Sequence, residues 1–108
     1  MSETNLIQLI RLEANKHGCF LSRNNTGSLQ NKTGRWVKFG LFNPGGSDLI
    51  GFRKINNIAQ FVAIEVKIQH GRIRPEQQEF IDFINKNGGL AGIVRSVEDF
   101  KKLVAIKN

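Results

Sequence analysis

The sequence lacks the features that would place it on a membrane or in a secreted, cross-linked class. It has no apolar run near the roughly 20 residues that span a bilayer, and its start, MSETNLIQLIRLEANKHG, does not follow a secretion-signal pattern. A cytosolic protein with no membrane partner is expected. Cys19 is the only cysteine, which excludes an internal disulfide framework and a cysteine-built metal cage. It reads as a small buried hydrophobe on a strand. There is no internal repeat, low-complexity tract or linker, and 108 residues suit one core, so 1–108 is expected to form a single domain. Acid is also scarce. Nine Asp and Glu stand against 16 Lys and Arg, giving a net charge of +7 and a pI of about 10.1. A small domain this basic attracts polyanions, of which nucleic acid is the commonest; a basic surface with no such partner is the plain alternative.

What is present is an ordered alternation of helix and strand signals. Residues 2–18 predict a helix, capped by Ser2 or Thr4, striped by Leu6, Ile7, Ile10 and Ala14, and stopped by Gly18. CFLSR (19–23) predicts a strand. Residues 24–46 form a long polar loop, with RWVKFGLF (35–42) a strand candidate inside it. SDLIGFR (47–53) and QFVAIEVKI (60–68) predict a hairpin around the turn KINNIA. Pro75 opens a second helix that Gly88-Gly89 ends; LAGIVR (90–95) predicts a strand, and Ser96 begins a terminal helix. The order is that of an α/β layer domain.

The chemistry is concentrated in the strand QFVAIEVKI. Side chains alternate across a strand, so Val62, Ile64, Val66 and Ile68 predict a core face, and Phe61, Ala63, Glu65 and Lys67 the other. Glu65 and Lys67 then project together, about 6.5–7 Å apart along the strand. Alone, they read as an ion pair on a wet face. A hairpin that brings Asp48, just past the glycines of NPGGS, beside Glu65 would gather two carboxylates and an ammonium. Two carboxylates and a backbone carbonyl suit Mg²⁺ or Mn²⁺. Such an ion polarises a phosphodiester and acidifies a bound water, and a nearby lysine orients that water or neutralises the phosphate. A basic surface attracts the nucleic-acid backbone. Metal-dependent nucleic-acid hydrolysis is the function these features point to.

Asp48 and Glu65-Val66-Lys67 resemble the D…(D/E)xK motif of the PD-(D/E)xK nuclease superfamily. More narrowly, GGSDLIG, FVAIEVK and GRIRPEQQEFIDFINKNGGLAGIVRS, with RNNTG (23–27) before them, are similar to the virus-type replication-repair nuclease (VRR-NUC) domain, in its standalone phage form. The resemblance implies a restriction-endonuclease-like αβββαβ core, a mixed central sheet flanked by helices. It implies a deoxyribonuclease acting in a bacterial or phage-infected host cell, resolving four-way (Holliday) junctions as a homodimer. Asp48, Glu65 and the Val66 carbonyl would hold metal, and Lys67 would be the catalytic lysine. The family's glutamine in the following helix matches Gln78, with Gln77 the alternative, and its first-helix glutamate matches Glu3, with Glu13 the competitor. Ser47 stands where the superfamily has proline, a residue that shapes the turn.

Arg23, Asn24 and Asn25 resemble the family's element near the DNA backbone, though turn chemistry explains the asparagines equally. Lys32, Arg35, Lys38, Arg72 and Arg74 are candidate phosphate contacts or plain solvated charges. Trp36 either stacks on a base or anchors its loop to the core, and His70 is a loop histidine beside the expected cleft. The competing functions are a monomeric flap or branched-DNA nuclease and a non-catalytic DNA-binding domain.

Overall fold

Ser2 and Gly18 bracket the first helix as their chemistry requires. In the computed structural model the Ser2 hydroxyl accepts the Asn5 N–H at 3.1 Å and opens α1, Glu3–Asn15. Gly18 takes the left-handed backbone (φ 64°) that ends it. The structure describes residues 1–106; the last two residues of the expected 1–108 domain lie outside the described residues. Five further strands and two helices follow β1 (Cys19–Arg23): β2 (Gly27–Gln30), β3 (Trp36–Phe39), β4 (Leu49–Ile55), β5 (Ile58–Val66), α2 (Pro75–Lys86), β6 (Leu90–Val94) and α3 (Val97–Val104). The main sheet runs β1-β4-β5-β6, antiparallel except for the parallel β5–β6 pair, and the three helices flank it. Without the β2–β3 insertion, the order is the αβββαβ core followed by α3.

The β4–β5 hairpin is longer and tighter than the six-residue turn KINNIA suggests. Asn56 and Asn57 both take positive φ, 49° and 65°, the paired left-handed geometry of a two-residue turn that twists with its strands. The ladder therefore closes at Ile55↔Ile58, and both strands shift toward the turn relative to the predicted 47–53 and 60–68. As a result β5 ends at Val66. Lys67 lies just beyond it, and Ile68, expected in the core, is exposed.

Strand β5 is buried on both faces, which corrects the expectation of one core face and one wet face. Val62, Ile64 and Val66 pack with Leu6, Ile7, Ile10 and Ala14 of α1 and Phe100 of α3. On the other side Ala63 packs with Ile50, Phe80, Ile81, Ile84 and Ala91 beneath α2. The parallel β5–β6 pair requires a crossover, and α2 is that crossover laid on the sheet. At the turn end of the sheet, buried Arg53 donates to the Gln60 side chain (2.7 Å) and to the Val104 and Ile106 carbonyls (3.0 and 2.7 Å). Each nitrogen of its guanidinium thus makes a hydrogen bond, which helps to keep the cation inside.

The segment expected as a long loop contains a separate two-stranded ribbon, β2–β3. Its tip is tied by the Asn31 side chain, which accepts from the Thr33 N–H (3.0 Å) and the Arg35 N–H (2.9 Å). At its base the Asn43 amide donates to the Gly27 and Phe39 carbonyls, each at 2.9 Å. The described chain measures 47 × 32 × 23 Å with a radius of gyration of 14.5 Å. A compact chain of this length has about 13 Å, so the ribbon is an arm that stands off the sheet.

Candidate active site

The register of the β4–β5 hairpin builds the site. Leu49 pairs with Ile64, so one further antiparallel step sets Asp48 opposite Glu65. The ladder stops there, and the Asp48 side chain takes over its hydrogen bonding, with Oδ2 accepting the Val66 N–H at 2.8 Å. On the other edge of β5, the Lys67 N–H donates to the Val94 carbonyl at 3.0 Å, which carries the chain one residue past the strand in fixed geometry. Lys67 Nζ reaches Glu65 Oε2 at 3.4 Å. The approach to Asp48 threads close to α2: Gly45 has φ 95°, and a Cβ there would meet the Glu76 carbonyl, so the chain turns here only as glycine.

Helix α2 supplies the next group. Phe80, Ile81 and Ile84 cover the second face of β5, and Gln77 lies one turn earlier on the same stripe, over Glu65. Its Nε2 donates to Glu65 Oε2 at 3.1 Å, while its Oε1 accepts the Arg74 N–H at the helix start at 2.9 Å. The backbone N–H thereby fixes which way the amide points. Gln78, the favoured match in sequence, is exposed and bonds Asp82 at 2.9 Å on the outer face. The glutamine that touches the site is therefore Gln77, because the apolar stripe sets the rotation of the helix.

Glu65 is 3% exposed, and burial pushes its carboxyl up to about 8. The Asp48 charge and a hydrogen bond to Asp48 add to that rise, and Lys67 opposes it. Despite the Lys67 ammonium, the corner therefore holds a proton to a higher pH than a carboxylate in water does. A hard divalent ion answers the same repulsion. Mg²⁺ and Mn²⁺ take one or two carboxylates and keep waters, and Asp48, Glu65 and the Val66 backbone fit that donor set.

The first-helix carboxylate does not join them. Among the described residues, no group of three or more His, Cys, Asp or Glu side chains is placed to hold a metal. Glu13 lies at the far end of α1, bound to His17 at 2.8 Å and Lys16 at 3.6 Å. Glu3 opens α1 at the end nearer the site, where Leu6 and Leu9 share a cavity of about 270 Å³ with Ile68 and Gln69, but it is not part of the carboxylate corner. The expected first-helix carboxylate is therefore not grouped with Asp48 and Glu65, and the carboxylates brought together are a pair.

Asn24 is also corrected. Its N–H donates to the Asp48 carbonyl (2.7 Å), its amide to the Leu41 and Ser47 carbonyls (3.0 and 3.1 Å), and it accepts the Leu41 N–H (2.9 Å). Fully engaged, it is a clamp joining the end of β1, the base of the arm and the turn before Asp48, and is not free for DNA. The Ser47 position shapes this turn through its carbonyl, while its buried hydroxyl has no partner among the described residues. Arg23 is exposed beside it at the end of β1, and Asn25 is exposed at the arm base. Lys32, Arg35 and Lys38 are exposed on the arm; Arg72 and Arg74 are exposed before α2, with Arg74 Nε 3.4 Å from Glu76. His70 is exposed in the same loop. Trp36 is 68% exposed and does not anchor the arm to the core.

Sequence reasoning missed Arg95, whose Nη1 donates to the Ile68 carbonyl at 3.0 Å and pins the chain leaving Lys67. No local pattern marks a contact across 27 residues. It also missed β2, although Gly34 in a short polar turn between GSLQ and WVKF is a hairpin signal.

No curated protein and no solved structure matches this chain. The model of the VRR-NUC domain matches residues 1–98, so the chain belongs to the VRR-NUC family of nuclease-type domains.

Proposed function

We propose that this chain is a metal-dependent, structure-selective DNA endonuclease that resolves four-way (Holliday) junctions as a homodimer in the cytoplasm of a bacterial or phage-infected host, with residues 1–108 as one nuclease domain. The observation that carries this is the corner at the end of the β4–β5 hairpin, where Asp48 faces Glu65 and Lys67 stands 3.4 Å from the Glu65 carboxylate. Asp48, Glu65 and the Val66 carbonyl would hold Mg²⁺ or Mn²⁺. When bound, the ion supplies Lewis-acid polarisation of the phosphate and a more acidic water.

The chain's own groups do the rest. The Lys67 ammonium places positive charge where a phosphodiester gains negative charge on attack, and orients the attacking water. Gln77 is a positioning residue: it holds Glu65 Oε2 from above, so the carboxylate meets the phosphate site in one orientation. Arg23, Lys32, Arg35, Lys38, Arg72 and Arg74 provide exposed cations for the backbone, so recognition runs through phosphate and shape, and affinity falls steeply with salt. One corner nicks one strand. A four-way junction needs two symmetric nicks, which a two-fold pair provides.

The test is a cleavage panel. End-labelled four-way, flap and linear DNA are incubated with the protein and Mg²⁺ or Mn²⁺, and mass is measured by light scattering. Paired symmetric nicks in the four-way DNA by a dimer are expected. Preferential flap cutting by a monomer refutes the junction assignment, and no cutting of any substrate refutes the nuclease assignment.

A further inference from the structure

We infer that the β2–β3 arm is a stacking platform for unpaired bases, with Trp36 as the residue that carries it. The inference rests on the DNA-cutting function proposed above and names what in the DNA the arm selects.

Three observations converge. First, the arm is built for a polyanion: from Ala14 to Ser47 the chain has no Asp or Glu, and Lys32, Arg35 and Lys38 lie exposed on the arm. Second, Trp36 shares a face of the ribbon with Lys38. Partners across an antiparallel pair share a face, and Gln30↔Trp36 and Ser28↔Lys38 put indole, ammonium and two polar side chains on one surface. A large aromatic group is usually covered, and this one is 68% exposed. Third, the arm is held firmly. An isolated two-stranded ribbon is marginal, but the Asn31 turn and the Asn43 amide bonds tie its two ends.

Position completes the inference. Asn24 clamps the arm base to the Asp48 carbonyl and to Leu41, tying the arm to the strand end that carries the catalytic corner. The tip lies about four residues beyond the base, roughly 13 Å at strand rise. The proposal sets a phosphate at the corner and an unpaired base on the arm within one bound DNA. A perfect duplex hides its base faces in the stack, whereas a branch point or single strand exposes them. Stacking on an aromatic side chain is sequence-tolerant and needs only an open π face. The arm therefore favours branched or single-stranded DNA over intact duplex without reading sequence.

Trp36 is the only tryptophan, so indole emission reports on it alone. The Lys67→Ala protein is titrated with a fluorescein-labelled four-way junction, an oligothymidylate, a blunt duplex and inorganic polyphosphate, with anisotropy measured in parallel. Junction and single strand are expected to quench the emission strongly, and duplex and polyphosphate to change it little. Trp36→Ala should weaken binding of the first two by roughly 5- to 100-fold, and Trp36→Phe by less. DNA binding with unchanged emission, or equal quenching by polyphosphate, overturns the platform and leaves the nuclease assignment standing. Emission that changes with protein concentration alone also overturns it, giving Trp36 to a second copy. If anisotropy detects no DNA binding, the nuclease assignment fails and the platform with it.

Discussion

The carboxylate corner and the arm handle charge in opposite ways. At the corner a glutamate is buried almost completely, and Lys67, Gln77 and the neighbouring aspartate hold it in one orientation. On the arm an indole and three cations stand in water on a ribbon without a single carboxylate. Burying a charge is unfavourable unless it is matched, and a buried carboxyl whose titration is strongly shifted by a second carboxylate is a mark of functional sites. Leaving a large aromatic uncovered is unfavourable for the same chain in the other direction. In the proposed function the corner is the reactive part, tuned by its surroundings, and the arm is the gripping part, left open for its partner.

The comparison breaks first at Asp48. Asp48→Asn keeps the shape but halves the carboxylate pair, and should lower cleavage by roughly 10²–10³-fold in single-turnover assays while arm and fold persist. A smaller loss would mean that Glu65 works alone. The clamp between the regions comes next. Asn24→Ala removes its side-chain bonds to Leu41 and Ser47, and at about 1 kcal/mol each should cost roughly 2–3 kcal/mol in urea denaturation. A loss under about 0.5 kcal/mol would show that arm and corner are held together by something else.

Gln77→Ala leaves the buried Glu65 Oε2 without its amide donor and should cost about 1–3 kcal/mol, whereas Gln78→Ala, on the exposed face, should stay within about 0.5 kcal/mol. Equal effects would contradict the helix rotation described here. Stability should also depend on pH. The folded protein holds the Glu65 proton up to about pH 8, whereas the unfolded chain releases it near 4.5, so the folded state binds more protons between those values. The stabilisation is complete below the lower value and is lost as pH rises through the upper one. Metal-free protein should therefore melt at lower temperature as pH rises from 5 to 8, and Glu65→Gln should flatten that part of the curve; a wild-type curve that rises would contradict it.

Much of this was legible because strand geometry is simple. A period of two puts Glu65 beside Lys67, and the hairpin brings Asp48 opposite. The helix order followed from caps at Ser2 and Ser96 and from Pro75. Gln77 was less accessible, because the rotation of α2 is set by what Phe80, Ile81 and Ile84 touch; even so, 77, 80, 81 and 84 form the i, i+3, i+4, i+7 stripe that identifies it. The second core face of β5 was hidden, since Glu65 and Lys67 make that side look wet while α2 covers Ala63. Asn24 was illegible, because its partners lie 17 and 23 residues away. The two-residue Asn56-Asn57 turn was available from its residue types and would have ended β5 at Val66.

The central claim is that the corner hydrolyses DNA, and Lys67→Ala tests it most directly. Wild type and variant, purified identically, are compared on a four-way junction with Mn²⁺ at protein concentrations that saturate binding. The variant should bind the junction and fail to cut it; equal cutting by the two proteins would contradict the assignment.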